Sequence, residues 1–350
     1  MPVPDVTIPH PATAAGPTTD TAAERERILE VADLHVDFAT AAGLVRAVDG
    51  ISYSLGTGEA LAILGESGSG KSVGVRALMG ILRDPNSRVR GSVRFHGEEL
   101  VGAGDGLLRR TRGERIAMVF QDALSALNPV MSVGDQIAEM FRTHRGMAWG
   151  DGRRRAIELM ERVAIPDARR RVDAYPHQFS GGMRQRVMIA MAIALDPEVL
   201  IADEPTTALD VTVQAQIMEL IMELRQERRM SLILITHDVG VVAEVAERLI
   251  VMYAGRIVEH GATLDVYDAP GHPYTRGLLA SIPQLDQRTD RLDAIQGTPP
   301  DPLAMPPGCA FHPRCPFVEA VCRVDVPPLR AVQPDRDSAC HFAEAVIDAG

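Results

Sequence analysis

The chain has 350 residues, 46% of them hydrophobic, enough for a large core in one big domain with an appendage or in two modest domains. Its formal net charge of -11 argues against a general nucleic-acid scaffold, because non-specific binding to DNA or RNA needs Lys and Arg to neutralise phosphates. No apolar run approaches the ~20 residues needed to cross a bilayer, the longest lying near Val187 to Leu195 and Leu249 to Ala254.

Residues 1–27 are rich in Pro, Ala and Thr and lack a charged start followed by an apolar block. They are expected to form a disordered tail, not a secretory signal, on a cytosolic protein. From Ile28 the chain alternates between strand and helix patterns. Ile28 to Phe38, Val45 to Leu55 and Glu59 to Leu64 are predicted strands, and Lys71 to Leu82 a helix. A strand at Ile116 to Phe120 is followed by helical periodicity over Val133 to Arg145, Asp151 to Val163 and Gly181 to Leu195, before a strand at Val199 to Ala202. This pattern predicts a helical insertion over about 122–180 within an α/β core. The basic runs Arg153 to Arg155 and Arg169 to Arg171 within it read as solvated helix faces. Helix Val213 to Arg229, strand Ser231 to Thr236, helix Val239 to Glu247 and strand Arg248 to Tyr253 follow, and the core is expected to close near residue 260. Pro273, Pro283, Pro299, Pro300, Pro302, Pro306 and Pro307 then favour extended connections.

The chemistry concentrates at strand ends. Gly65, Glu66, Ser67, Gly68, Ser69, Gly70, Lys71 and Ser72 fit G-x-x-x-x-G-K-[ST], directly after an apolar strand and before a helix. The glycines let backbone N–H groups curl around phosphates, Lys71 neutralises charge, Ser72 can ligate magnesium, and the helix adds its positive end. Val199 to Pro205 is an apolar strand that delivers Asp203, for Mg²⁺, and Glu204, to polarise the water attacking a γ-phosphate. Gln121 follows another strand, where its amide could touch Mg²⁺ or that water. His237 ends a core strand as Asp203 does and can donate to the γ-phosphate.

Phe179 to Gln185 reads Phe-Ser-Gly-Gly-Met-Arg-Gln. Ser180 is a good N-cap, and the helix start behind it would face an anion. Two glycines weaken a helix start and are useful mainly where a ligand approaches the backbone closely, so this element is expected to reach a phosphate held elsewhere. Here the chain resembles the ATP-binding subunits of ABC transporters. The phosphate loop, Gln121, the Phe179 to Gln185 signature, Asp203-Glu204, the Ala208-Leu209-Asp210 loop and His237 occur in that family's order. Phe179 and Met183 are mild departures from its commonest signature.

The resemblance implies an α/β, phosphate-loop ATPase core over 28–262, a mixed sheet with an antiparallel β subdomain, and a helical subdomain at about 122–180. It also implies a head-to-tail dimer in which the signature of one subunit, here Ser180 and Gly182, closes on ATP held by the phosphate loop of the other, and Gly181 and Asp210 are further nucleotide-binding candidates. An aromatic that stacks on adenine is expected before the phosphate loop: Phe38, with Val45 or Arg46 as alternatives. Ala269 to Arg276, Phe311 to Pro316 and Gln121 to Pro129 resemble the oligopeptide and dipeptide importer branch, which places a Cys-rich extension at 263–350. The branch implies a second ATPase, usually a different sibling, two permeases and an extracytoplasmic binding protein, with this subunit on the cytoplasmic face of the membrane.

Cys309, Cys315, Cys322 and Cys340 are separated by five, six and seventeen residues, and the chain has no other cysteine. In a reducing cytosol this leaves a four-thiolate zinc site, an iron-sulfur cluster or free thiols. The spacing lacks the C-x-x-C pairs usual in zinc knuckles, and some members of the resembled branch carry a 4Fe-4S cluster on such cysteines. That cluster is the expectation here, with a structural role. A soluble ABC ATPase of DNA repair or translation would need two motif sets or sustained heptads, and a GTPase would need Asn-Lys-x-Asp; none is present. Export, or nickel or glutathione as cargo, is compatible with the core motifs.

Overall fold

Strands made of unbroken apolar residues occupy the centre of the molecule, as parallel strands covered on both faces require. The computed structural model describes residues 25–82, 84–207, 209–281 and 295–349. Most of the expected N-terminal tail, together with Arg83, Ala208 and Pro283, lies outside them. β1 (Arg27–Thr40) and β2 (Gly43–Gly56) form an antiparallel pair in which Phe38 lies opposite Val45. β3 (Ala60–Leu64) leads through the glycine loop into α1 (Lys71–Leu78). β4 (Ser87–Phe95) then pairs with β1, and β5 (Glu98–Glu99) with β4. α2 (Asp105–Thr111) leads on to β6 (Ile116–Val119).

The helical insertion is present. α3 (Ala123–Ala126), α4 (Val133–Arg145), α5 (Trp149–Arg162) and α6 (Ala168–Arg171) precede α7 (Gly181–Ala192), which returns the chain to β7 (Val199–Asp203). α8 (Val211–Arg228), β8 (Ser231–Ile235), α9 (Val239–Val245) and β9 (Arg248–Tyr253) complete the alternation seen in the sequence. β10 (Arg256–Ala262), α10 (Thr263–Asp268), α11 (Pro273–Ala280), β11 (Arg330–Gln333), β12 (Arg336–Ser338) and α12 (Ala343–Asp348) follow.

Among the described residues the strands form a four-stranded sheet, β2-β1-β4-β5, and an eight-stranded sheet, β11-β12-β10-β9-β3-β8-β7-β6. In the larger one β9, β3, β8, β7 and β6 run parallel, so their carboxyl ends, and the loops after β3, β7 and β8, share one edge. Alternation along β3 distributes the core. Leu61 and Ile63 pack with Val75, Leu78 and the small sheet, whereas Ala62 and Leu64 pack with Val242, Leu249 and Tyr274 on the other face.

The chain does not leave the sheet near residue 260. β12 pairs with β10, Glu259 opposite Ser338, and the extension thereby widens the larger sheet. Arg336 seals that junction: its Nη2 donates to Glu259 at 2.9 Å, and Glu259 also accepts from the backbone of Gly271 and His272. Proline density did not exclude helix at the start of the extension. Pro273 occupies the first helical position of α11, where no N–H is needed, and His272 caps the helix by accepting from the Tyr274 N–H at 3.0 Å.

Candidate active site

Gly65 and Gly70 admit no side chain. At φ +153° and +99°, a Cβ would lie 2.3 Å from the carbonyl oxygens of Met252 and Ala47 respectively, so the phosphate loop is seated directly on neighbouring backbone. Lys71 is buried and folds back over this loop, donating to the Gly65 and Glu66 carbonyls at 2.7 and 2.9 Å. Burial pushes its ammonium below the ordinary value, against the pull of Glu204, Asp203 and Glu66. An anion arriving here would find a positive charge already positioned.

Ser72 Oγ donates to Asp203 Oδ1 at 2.7 Å, tying the first turn of α1 to the end of β7. Asp203 is completely buried, and its Oδ2 accepts no hydrogen bond; the Arg76 guanidinium approaches only to 3.9 Å. Burial, helped by Glu204 and opposed by Ser72 and Arg76, raises the Asp203 pKa. A buried carboxylate oxygen that accepts no hydrogen bond, beside a hydroxyl, fits a hard cation such as Mg²⁺.

Glu204 sits one residue past β7 at φ +47°, a conformation rare for a residue with a side chain, and its N–H donates to the Ile235 carbonyl at 2.9 Å. Three side chains converge on its Oε2. Gln121 Nε2 donates at 3.0 Å, Thr207 Oγ1 donates at 2.9 Å, and His237 Nδ1 lies 3.4 Å away. The structure therefore gathers Lys71, Ser72, Asp203, Glu204, Gln121 and His237 at one edge. Gln121 is held on the carboxylate of Glu204. Thr207 was not anticipated; its one signal was lying three residues past Glu204 in a tight turn.

Ser180 caps α7, its Oγ accepting from the Met183 N–H at 3.3 Å, and Asp210 caps α8, its Oδ1 accepting from the Val213 N–H at 3.0 Å. Ser180, Gly181 and Asp210 are exposed, and no described hydrogen bond joins them to the phosphate loop of their own chain. Gly182 has a packing reason that the sequence reading lacked: a Cβ there would lie 2.7 Å from Val213 Cγ1. Phe38 packs partly buried against the small-sheet core, and a cavity of about 100 Å³ beside the phosphate loop is lined by Val45, Arg46 and Ser67 but not by Phe38.

Two residues of the extension that the motifs did not single out reach the phosphate loop. Arg314 donates to both carboxylate oxygens of Glu66, at 2.6 and 2.9 Å, and Tyr274 Oη accepts from the Glu66 N–H at 2.8 Å. The four cysteines all line one small cavity beside Phe311 and Phe342. Burial raises the thiol pKa of Cys309, and pushes those of Cys315 and Cys340 up to about 11. Among the described residues, however, no three His, Cys, Asp or Glu side chains are arranged to hold a single metal ion. The cavity they share, about 20 Å³, holds little more than a water, and among the described residues a site ready for an ion is not found.

A phosphate loop, an acidic strand end and a glutamate held by an amide and an imidazole define a phosphate-loop ATPase. Comparisons with known proteins agree. The profile of the ABC transporter family matches residues 48–207, and that of the oligopeptide/dipeptide transporter C-terminal region matches residues 258–322. A Brucella abortus protein provisionally named as a peptide import ATP-binding protein is 54% identical over 313 residues, 89% of this chain and 94% of that one. An oligopeptide transport ATP-binding protein of Salmonella typhimurium is 49% identical over 89% of this chain and 93% of its own length. The ATP-binding cassette MJ0796, solved as a dimer in a post-hydrolysis state bound to ADP and Pi, superposes with a TM-score of 0.60 at 27% identity, covering 67% of this chain and 98% of that chain. The chain belongs to the ABC transporter ATPases, in their oligopeptide/dipeptide branch.

Proposed function

We propose that this subunit hydrolyses ATP to power import of di- or oligopeptides across the cytoplasmic membrane, bound peripherally to two permeases and paired with a sibling ATPase. An extracytoplasmic binding protein would deliver the cargo. The convergence of Gln121, Thr207 and His237 on Glu204, beside Ser72 and Asp203, carries the hydrolytic reading. The importer reading rests on the relatives, named for peptide, oligopeptide or dipeptide transport, and on the match of the extension.

In this reading Lys71 exchanges its loop carbonyls for phosphate oxygens, and the amides of Gly68 to Ser72 face the same phosphates. Ser72 and Asp203 would hold Mg²⁺, which supplies charge neutralisation when bound. Glu204 accepts a hydrogen bond from the attacking water, with Gln121 and His237 fixing its orientation, and the His237 ring would donate to the γ-phosphate. Val45 and Arg46 border the base, with Phe38 behind them in the same hairpin. Ser180, Gly181 and Gly182 serve the partner's ATP. Leu124 and Val130, exposed at 55% and 79% just after Gln121, offer the permeases an apolar contact.

We further propose that Cys309, Cys315, Cys322 and Cys340 hold a 4Fe-4S cluster that ties the extension together. The gathering of the four cysteines around one cavity supports this, and loading would require that small cavity to widen and the thiol protons to be lost. Anaerobically purified protein should be brown and contain iron and acid-labile sulfide; a colourless preparation lacking both would refute it. For the transport reading, the test is uptake of labelled peptide into cells that carry Lys71→Ala in the chromosomal copy. Uptake should be lost, and retained uptake with loss of another cargo's transport would reassign the substrate.

A further inference from the structure

The second residue of the phosphate loop is clamped by the extension. Arg314 lies in the 3-10 turn His312–Arg314, immediately before Cys315, and its side chain is only 5% exposed. Its guanidinium makes a two-pronged pair with the Glu66 carboxylate, donates to the Gln296 carbonyl at 3.0 Å, and lies 5.9 Å from the ring centres of both Tyr253 and Phe311. Tyr274, fully buried on α11, holds the Glu66 backbone N–H. The Glu66 carbonyl in turn accepts from Lys71 Nζ. A continuous chain of contacts therefore runs from the cysteine-rich turn, through Arg314 and Glu66, to the lysine that meets the phosphates.

Charge gives the clamp its purpose. Glu66 places a third carboxylate, with those of Asp203 and Glu204, around the lysine of a loop that must receive a polyanion, and an unpaired Glu66 would repel that polyanion. A bidentate guanidinium both cancels this charge and fixes the loop, in a way a point-like ammonium does only in part. We infer that Arg314 is a positioning residue of the ATP site, which makes ATP affinity depend on the folded cysteine-rich turn. This rests on the reading of Gly65 to Ser72 as the ATP-binding loop.

The experiment measures ATP turnover and nucleotide binding by the full-length chain in its assembled transporter. Arg314→Met raises KM for ATP roughly tenfold while kcat stays within about twofold, the size expected for coupling through one contact network. Arg314→Lys falls between Arg314→Met and the wild type. Adding Glu66→Gln to Arg314→Met restores much of the affinity, because the repelling charge is gone; lost packing alone would not be rescued this way. Tyr274→Phe keeps every charge and raises KM by a smaller factor, which supplies the test if Arg314→Met does not fold. An unchanged KM in Arg314→Lys and Tyr274→Phe, or an Arg314→Met defect that Glu66→Gln leaves untouched, overturns the inference. Lys71→Ala separates the two readings: if it binds ATP normally, the loop itself is misread. If it loses ATP while the Arg314 variants stay normal, only the clamp fails.

Discussion

Two helices of this protein begin in ways suited to an anion, and the chain finishes only one of them. At α1 the phosphate loop is seated on backbone, Lys71 is buried over it, and the carboxylates of Asp203 and Glu204 stand alongside. At α7 the cap Ser180 and the following Gly181 are exposed, and among the described residues no lysine folds back over this helix start as Lys71 does over the phosphate loop. Both starts have free N–H groups and a positive dipole end. The difference teaches that chemistry needs what surrounds the helix. α1 has a lysine, a magnesium-type donor pair and a carboxylate base, whereas α7, in the dimer proposed above, would be a half-site for a phosphate brought by another subunit.

That contrast can be broken in several places. The largest effect belongs to Glu204: Glu204→Gln should leave ATP bound but reduce hydrolysis at this site by about 100-fold or more, as loss of a general base does. Undiminished turnover in single-site kinetics would remove Glu204 from the mechanism. Lys71→Ala should weaken ATP binding by about tenfold to a hundredfold, the value of hydrogen bonds to a charged group, in equilibrium titration. Ser180→Arg should lower turnover at the partner's site by at least about tenfold, without changing ATP affinity at this chain's own loop. Equal losses at both would mean that α7 serves its own chain.

Gly182→Ala sharpens the packing side of the comparison. The new methyl would press on Val213, costing about 1–3 kcal/mol of stability in a denaturant titration. Val213→Ala should relieve that cost; a turnover defect that persists after relief shows that Gly182 also admits the partner's nucleotide. The smallest effect lies away from both helices. Burial depresses the pKa of His272 from 6.5 to about 3, so the unfolded chain binds a proton in that interval that the folded chain does not. Stability is therefore full above 6.5 and declines as pH falls, by at most about 1.4 kcal/mol per pH unit. His272→Asn, which keeps a capping acceptor, should flatten the decline between pH 6.5 and 5.

The catalytic edge was legible because its chemistry is local. Gly65 to Ser72 and Asp203-Glu204 are contiguous strings, and the apolar strands before them announce where they sit. The widened sheet was not legible. β12 is Arg-Asp-Ser, a triplet that reads as surface, and its pairing with Glu259 spans nearly eighty residues of chain. Arg314 and Tyr274 were visible as parts of branch-specific phrases, yet nothing in their spacing says that they meet Glu66. Gly182 shows a second reason that was hidden: a glycine assigned to a ligand also has a neighbour, Val213, that leaves no room for a side chain.

The central claim is that α7 completes a different subunit's ATP site. A photo-crosslinking amino acid placed at position 180 in the assembled transporter, followed by mass spectrometry, tests it most directly. With ATP bound and Glu204→Gln to prevent turnover, cross-links should fall on the phosphate loop of the neighbouring ATPase subunit and disappear without nucleotide. Cross-links confined to this chain's own residues, or unaffected by ATP, would contradict the account.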